Sequence, residues 1–133
     1  MTRRELRVPG LPEPISHYTD AVLAGELLFI SGVVAVDERG ALVAGDVVAQ
    51  AEQVFALIGR VLRAAGGKPA DVVKVTVYLL DIEEPPLINP VRQAFFGPAR
   101  PASTLVEVSR LAVPGARLEV EATALVSMPP RSP

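Results

Sequence analysis

The side chains that could do chemistry in this chain are few and lie mainly in two stretches. His17 is the single histidine, and it is either an acid, base or anion partner near neutral pH or a solvated loop residue. Ser103 and Thr104 place two hydroxyls where a loop that contains Arg100 enters an apolar strand. A serine hydrolase is not favoured, because the one histidine would have to serve Ser103 and no orienting acid is evident.

Glu119 is the best-placed carboxylate. It stands in an alternating stretch, out of phase with Leu118 and Val120, and therefore faces away from the apolar side of its strand. Taken alone, this pattern is typical of an exposed strand glutamate. A partly buried carboxylate at the same position would have a raised pKa and could position a water or transfer a proton. The residues leave both interpretations open.

The composition excludes several other kinds of site. The chain of 133 residues has no cysteine, which excludes thiol catalysis, disulfides and thiolate metal sites. One histidine cannot build a zinc site of the ordinary type. The net charge of −2 is spread without a basic stripe, so a nucleic-acid partner is not expected.

The length and the apolar runs bound the organisation and location of the chain. A single domain over residues 1–133 is expected, with a frayed proline-rich tail at 128–133. No apolar run approaches the roughly 20 residues that span a bilayer. No apolar signal core follows the charged N-terminus, so we expect a cytoplasmic protein without a membrane partner.

Periodicity predicts the elements that must position these residues. Apolar residues at three- and four-residue steps indicate a helix over 46–66, capped by Asp46 and ended by Gly66-Gly67. A second helix is predicted to begin at Pro90, with Asn89 as its cap. Alternating or β-branched runs predict strands at 6–8, 21–24, 27–31, 72–80, 105–108 and 118–126.

This order predicts an α+β sandwich of two layers, with one mixed sheet and both helices on one face. The other face of the sheet then carries Lys74, Thr76 and Tyr78 among apolar neighbours. Such a half-apolar face favours packing against identical subunits, because closed symmetric homo-oligomers are common.

Several segments together resemble the Rid (RidA/YjgF) family of small enamine/imine deaminases. They include Leu28-Phe29-Ile30-Ser31-Gly32, the run 71–77, and the strand segments Val106-Glu107-Val108 and 119–122. The resemblance covers residues 18–126 and implies a chorismate-mutase-like fold and a homotrimer that binds small metabolites in clefts between subunits. Active members hydrolyse enamines and imines, such as those derived from 2-aminoacrylate, to the keto acid and ammonia. The resemblance implies no metal or organic cofactor.

The resemblance also suggests which residues form the pocket. By position these are Tyr18, Gly32, Asn89, Ser103 and Glu119, with Glu119 positioning water or transferring a proton and Tyr18 contacting the bound carboxylate or imine nitrogen. Active deaminases carry an arginine where this chain has Ser103, so a two-pronged guanidinium contact to the substrate carboxylate is missing. Arg100 and His17 are candidates to compensate, and Thr104 adds a second hydroxyl.

The sequence therefore leaves several functions open. The first is an enamine/imine deaminase-type hydrolase with an altered substrate or weak activity, because Ser103 replaces the arginine. The alternative is a trimer that binds a small ligand without turning it over. A ribonuclease or translation inhibitor is a remote third, because phosphate contacts dominate nucleic-acid affinity and no basic stripe is present.

Overall fold

Alternating apolar and polar residues build one mixed sheet of six strands with two helices on one face. The structure, a computed structural model, describes residues 2–127. Its elements in chain order are β1 (Arg3–Leu6), β2 (Ala21–Ala24), β3 (Leu27–Val33), α1 (Val47–Ala64), β4 (Val72–Leu79), α2 (Pro85–Phe96), β5 (Ala102–Glu107) and β6 (Leu118–Leu125). The predicted two-layer α+β sandwich is confirmed. The tail predicted to fray, 128–133, lies outside the described residues.

The spatial order of the strands is β1-β2-β3-β6-β4-β5. Strands β4 and β5 are parallel and are joined through α2, whereas every other neighbouring pair is antiparallel. Strand β5 is therefore one edge of the sheet, next to the helix that precedes it in the chain.

The N-terminal hairpin agrees with the sequence, but the first strand does not. Gly25 takes a positive φ of 61° in the turn between β2 and β3. The strand predicted at 6–8 is wrong, because β1 spans Arg3–Leu6 and pairs with β2. The N–H of Val8 instead donates to the Asp20 carboxylate at 2.7 Å, which removes this residue from the strand ladder.

Helix α1 begins and ends at the predicted signals. The Asp46 carboxylate accepts a hydrogen bond from the N–H of Ala49 at 3.0 Å and caps the first turn. The helix ends at Ala64, and Gly66 takes a φ of +82°, so that the Gly67 N–H reaches the Leu62 carbonyl at 2.7 Å. Its apolar stripe packs on the sheet, with Val54, Ile58 and Leu62 almost fully buried.

Strand β4 departs from strict alternation at its start. Val75, Val77 and Leu79 are buried as predicted, but Val73 is 46% exposed. The pairing with β6 shifts register between Val72 and Lys74, which indicates a bulge that turns Val73 outward and leaves Val72 in the core. Beyond the bulge Lys74, Thr76 and Tyr78 lie on the face away from the helices.

Helix α2 begins five residues earlier than predicted, at Pro85 rather than Pro90. Pro85 and Pro86 occupy the first turn, where backbone N–H groups have no intrahelical acceptor, so these two prolines cost no helical hydrogen bond. Pro90 lies inside the helix, and Asn89 is a helical residue rather than the cap. Buried Ile88, the tilted contact of Phe95 with Phe55 and the edge-to-face contact of Phe96 with Phe55 hold the helix against α1 despite Pro90.

Both helices are amphipathic, with one face toward the sheet. Within residues 2–127, no helix has the combination of length and hydrophobicity needed to cross a bilayer.

Candidate functional site

A cavity of about 330 Å³ surrounds Glu119 on the face of the sheet away from the helices. We call it the Glu119 cavity; its wall includes Tyr18, Ser31, Gly32, Val113 and Glu119. Strand β3 supplies Ser31 and Gly32, and its neighbour β6 supplies Glu119. The register between β3 and β6 shifts between Ile30 and Val33, so the backbone at Gly32 leaves the regular ladder beside the carboxylate.

Gly32 leaves the space that the Glu119 carboxyl group occupies. A Cβ atom built on Gly32 would lie 2.9 Å from Cδ of Glu119, closer than real Cβ contacts allow. Any side chain at position 32 would therefore push the carboxylate away from its present place. The glycine predicted from the sequence thus has a direct steric relation to the predicted acid.

The Glu119 carboxylate is half-buried and has no hydrogen bond or ion pair with any residue in 2–127. Burial raises its pKa above the ordinary value of 4.5, and the nearby charge of Glu121 raises it further. Glu121 is held on the same face by the Tyr78 hydroxyl, which donates to it at 2.8 Å. A carboxylate with a raised pKa and free lone pairs can accept a proton from water.

The walls of the Glu119 cavity are fixed by hydrogen bonds. Ser31, which sequence reasoning did not place in the site, donates its hydroxyl to the Thr19 carbonyl at 2.6 Å. The Tyr18 side chain is 47% exposed, and its hydroxyl accepts a long hydrogen bond of 3.4 Å from the Ile15 N–H. The Tyr18 phenol therefore remains able to donate its own proton to a ligand.

Buried Gln50 anchors the loop before β6 that closes one side of the Glu119 cavity. Its amide donates to the Gly115 carbonyl at 3.2 Å and accepts from the Arg117 N–H at 2.8 Å. The Arg117 guanidinium also pairs with Glu84, the cap residue of α2, at 2.7 Å. One side chain of α1 thus connects the loop that carries Val113 to the start of β6.

A second, larger cavity of about 720 Å³ lies beside α2 and the loop that leads to β5. We call it the Arg92 cavity; its wall includes Asn89, Arg92, Arg100 and Pro101. Asn89 and Arg92 are three residues apart on α2 and so share one side of the helix. Arg100 is exposed and comes from the loop.

Ser103 is connected to the Arg92 cavity by a hydrogen bond from Arg92. Ser103 pairs in register with buried Val75, so its side chain is on the helix side of β5. The Arg92 guanidinium donates to the Ser103 hydroxyl at 2.7 Å. Burial lowers the pKa of Arg92, and its guanidinium has no carboxylate partner within residues 2–127. Arg92 was not among the residues predicted from the sequence.

The remaining predicted site residues lie elsewhere. Thr104 is on the opposite face of β5 from Ser103, where its hydroxyl accepts a hydrogen bond from the Lys74 ammonium at 2.7 Å. His17 is exposed and does not line either cavity, although its neighbours Ser16 and Tyr18 line the Glu119 cavity. No group of three or more potential metal ligands occurs within residues 2–127.

The two cavities are separate within one chain. Glu119 pairs with Tyr78 on one side of β4, and Ser103 pairs with Val75 on the other. These positions are about 10 Å apart along the strand and about 10 Å across it, and the side chains are on opposite faces of the sheet. A single chain therefore does not bring the two groups of predicted residues around one small molecule.

The comparisons with known proteins agree with this architecture. The family model described as Endoribonuclease L-PSP matches residues 10–126. A structure of the conserved Rid protein family from Yersinia pestis superposes with a TM-score of 0.89 at 30% identity, over 94% of this chain and 100% of that one. The chain belongs to the Rid (RidA/YjgF) family. The resemblance found in the sequence is thereby confirmed.

Two curated relatives of this Rid protein are similar over most of its length. A RutC family protein of Pyrococcus horikoshii is 45% identical over 101 residues, which cover 75% of this chain and 80% of the relative. The 2-iminobutanoate/2-iminopropanoate deaminase of Capra hircus is 37% identical over 126 residues, which cover 94% of this chain and 91% of the relative.

Proposed function

We propose that this Rid protein hydrolyses small imine or enamine acids to the 2-keto acid and ammonia. The observation that carries the proposal is the Glu119 carboxylate, which is half-buried above Gly32 and without a partner in residues 2–127. The relatives named 2-iminobutanoate/2-iminopropanoate deaminase support an imine deaminase-like role at the level of the family. The substrate range within that role is part of the proposal.

The reaction needs a water, a base and a group that holds the substrate. Glu119 accepts a proton as water attacks the imine carbon, so that a C–O bond forms while the C=N electron pair moves to nitrogen. Glu119 then returns a proton to nitrogen. The new hydroxyl then passes its proton through Glu119 to the nitrogen, the C=O bond forms as the C–N bond breaks, and ammonia leaves. The sum is imine plus water to keto acid plus ammonia, without oxidation or reduction.

The active cleft is formed between copies of the chain in this proposal. The residues carried over by resemblance fall into two groups, Tyr18, Gly32 and Glu119 at one cavity and Asn89 with Ser103 at the other, and a small acid cannot bridge both within one chain. A second copy that brings its Arg92 cavity against the Glu119 cavity completes the site. We propose the stoichiometry that the Rid resemblance implies, a homotrimer with three such clefts.

The exposed apolar residues on the face away from the helices support this assembly. Phe29 and Val73 are each 46% exposed, and Leu125 is 50% exposed, at neighbouring positions on β3, β4 and β6. Burial of apolar surface stabilises association at about 25 cal/mol per Å² before the cost of lost freedom. Packing of this face against other subunits removes these side chains from water.

A second candidate is a trimer that binds small acids without hydrolysing them. Ser103 favours it, because the Rid resemblance implies an arginine at this position in active deaminases and a serine hydroxyl is a single neutral donor. Hydrogen bonds to charged groups contribute about 1.5–3 kcal/mol against about 1 kcal/mol for neutral ones. Weak or redirected activity is the expected result if nothing replaces the guanidinium.

A coupled assay distinguishes the two candidates. An enzyme that releases 2-aminoacrylate generates 2-iminopropanoate, and the appearance of pyruvate is followed with and without this protein. We expect the wild type to accelerate pyruvate release and Glu119→Gln to do so far less. Sedimentation of both proteins as trimers shows that the variant still assembles. Binding of the keto acid without any acceleration would establish the non-catalytic candidate instead.

A further inference from the structure

Arg92 presents a guanidinium from α2 at the position where Ser103 leaves room for one. Ser103 is on the helix side of the edge strand β5, and the Arg92 Nη2 atom lies 2.7 Å from its hydroxyl oxygen. The short hydroxyl of the strand and the guanidinium of the facing helix therefore form one unit beside the Arg92 cavity.

The environment of Arg92 differs from that of the arginines that stabilise the fold. Arg7 and Arg117 each pair with at least one carboxylate, at 3.2 Å and 2.7 Å respectively. Arg92 is half-buried and donates to a neutral hydroxyl, with no acidic partner within residues 2–127. A guanidinium has five N–H donors in a rigid fork, so several remain available to an anion.

The surroundings of Arg92 favour an anionic ligand. Asn89, one turn earlier on α2, and exposed Arg100 line the same cavity. Two guanidinium groups and the amides of Asn89 and Gln93 surround a space that no acidic side chain of residues 2–127 lines. Partial burial strengthens a charge-assisted hydrogen bond, because less water competes for the guanidinium.

We propose that Arg92 is the residue that binds the carboxylate of the substrate and that Ser103 positions its guanidinium. This inference rests on the proposed function for the identity of the ligand, a small 2-keto or 2-imino acid. Ser103 is then not a weak replacement for the arginine of active members but the hydroxyl that orients a relocated one. The carboxylate is held from α2 instead of β5, and Glu119 of the neighbouring copy faces the imine carbon.

Calorimetric binding of 2-oxobutanoate to the assembled protein tests the inference without requiring turnover. Arg92→Met removes the charge at nearly constant length, and we expect binding to weaken about 10- to 100-fold. Arg63→Met, at an exposed position on α1, is the matched control and is expected to leave the dissociation constant unchanged. The uncharged analogue 2-oxobutanamide should bind equally to wild type and Arg92→Met.

A swap of the two positions gives a second readout that a structural role would not produce. Ser103→Arg alone places two guanidinium groups in one space and is expected to weaken binding or leave it unchanged. Arg92→Met combined with Ser103→Arg is expected to recover binding to within about threefold of wild type. Ser103→Ala should weaken binding about three- to tenfold, and Ser103→Thr should restore it, because the hydroxyl only positions the guanidinium.

Several results would overturn the inference. Unchanged 2-oxobutanoate binding in Arg92→Met is one, and the absence of measurable binding to the wild type is another. Where Arg92→Met does not fold, Arg92→Lys keeps the charge but loses the fork, and unaltered binding in that variant has the same meaning. Imine hydrolysis that persists unchanged in Arg92→Met supports the proposed function and defeats this inference. Binding of 2-oxobutanoate that depends on Arg92, without imine hydrolysis, would support this inference and defeat the proposed function.

Discussion

The Glu119 cavity and the Arg92 cavity carry opposite charges, and a different kind of residue accommodates the charged side chain in each. The first has a carboxylate with no cation from residues 2–127, above a glycine that makes room for it. The second has two guanidinium groups with no acid from residues 2–127, and one of them, that of Arg92, donates to a serine hydroxyl. Each has a half-buried charge that no residue in 2–127 neutralises, which is costly unless a ligand or a second copy does so. We therefore propose that the two cavities are halves of one site.

Removal of the Glu119 charge is expected to have the largest effect on activity. Glu119→Gln should lower kcat/KM for 2-iminopropanoate about 10²- to 10⁴-fold, because the general base is lost. Stopped-flow measurement of pyruvate release checks this, with Glu26→Gln in the exposed hairpin turn as the control. An equal loss of kcat/KM in both variants would show that Glu119 is not the general base. The proposed contrast between the two cavities would then be wrong.

The same substitution should stabilise the fold at neutral pH. The pKa of Glu119 is raised in the folded state, so the protonated form stabilises the protein fully below the ordinary pKa of 4.5. This contribution to the free energy of unfolding is lost as pH rises through the raised folded-state pKa, because the half-buried carboxyl group then ionises. Glutamine does not ionise, so Glu119→Gln keeps its stability at neutral pH. Thermal unfolding of wild type and variant should therefore differ at pH 7 and converge at about pH 4. A variant less stable at pH 7 would contradict this.

A methyl group at position 32 sharpens the comparison by moving the carboxylate without removing it. Gly32→Ala places Cβ against Glu119, and the displaced carboxylate should lower kcat by up to about 100-fold. Stability should change little, because the far end of a flexible side chain moves. Gly59→Ala is the control, since its Cβ would meet Phe95 at an ordinary 3.5 Å. It is expected to stabilise α1 by about 0.5–1 kcal/mol and to leave kcat unchanged.

Substitution of Gln50 tests how much its two hydrogen bonds stabilise the loop that closes one side of the Glu119 cavity. Gln50→Ala removes two hydrogen bonds to the loop before β6 and leaves the partly buried Arg117 N–H without its acceptor. We expect a loss of about 1–3 kcal/mol in the free energy of unfolding, measured by urea denaturation. Gln53→Ala breaks a single bond to Val36 and should cost less. Equal costs would show that the loop does not rely on Gln50.

The smallest expected effect is a pH shift. Activity requires ionised Glu119, so acidification should reduce kcat/KM at a higher pH than an ordinary glutamate would. Burial is the greater cause of the raised pKa of Glu119 and the charge of Glu121 is the lesser. Glu121→Gln removes the lesser cause and should move the acid limb of the profile to lower pH. A limb that moves to higher pH would show that Glu121 does not act on Glu119 in this way.

Local signals predicted much of the scaffold. Asp46 and Gly66 mark the ends of α1 because capping and left-handed backbone are properties of single residues. The bulge that exposes Val73 is set by pairing with β6, which no local pattern reveals. The start of α2 was misplaced because a Pro-Pro pair is compatible with both a loop and a first helical turn.

The same misplacement concealed Arg92. With a helix that starts at Pro90, Arg92 belongs to the first turn, and its relation to Asn89 is lost. A helix from Pro85 puts Asn89 and Arg92 on one side, which is the signal that would have identified the arginine. The contact with Ser103 depends on the packing of α2 against β5. The residue spacing within either segment does not predict a tertiary contact of this kind.

The contact between α2 and β5 has a consequence for how relatives are sorted. Positions 92 and 103 face each other across one hydrogen bond, so an arginine at either position can place its guanidinium in the same part of the fold. Under our proposal, a sequence survey that scores position 103 alone overlooks chains whose carboxylate-binding arginine is at position 92. Counting an arginine at either position groups relatives by the location of the guanidinium in the structure. It separates chains that have lost this cation from chains in which it stands at the other position.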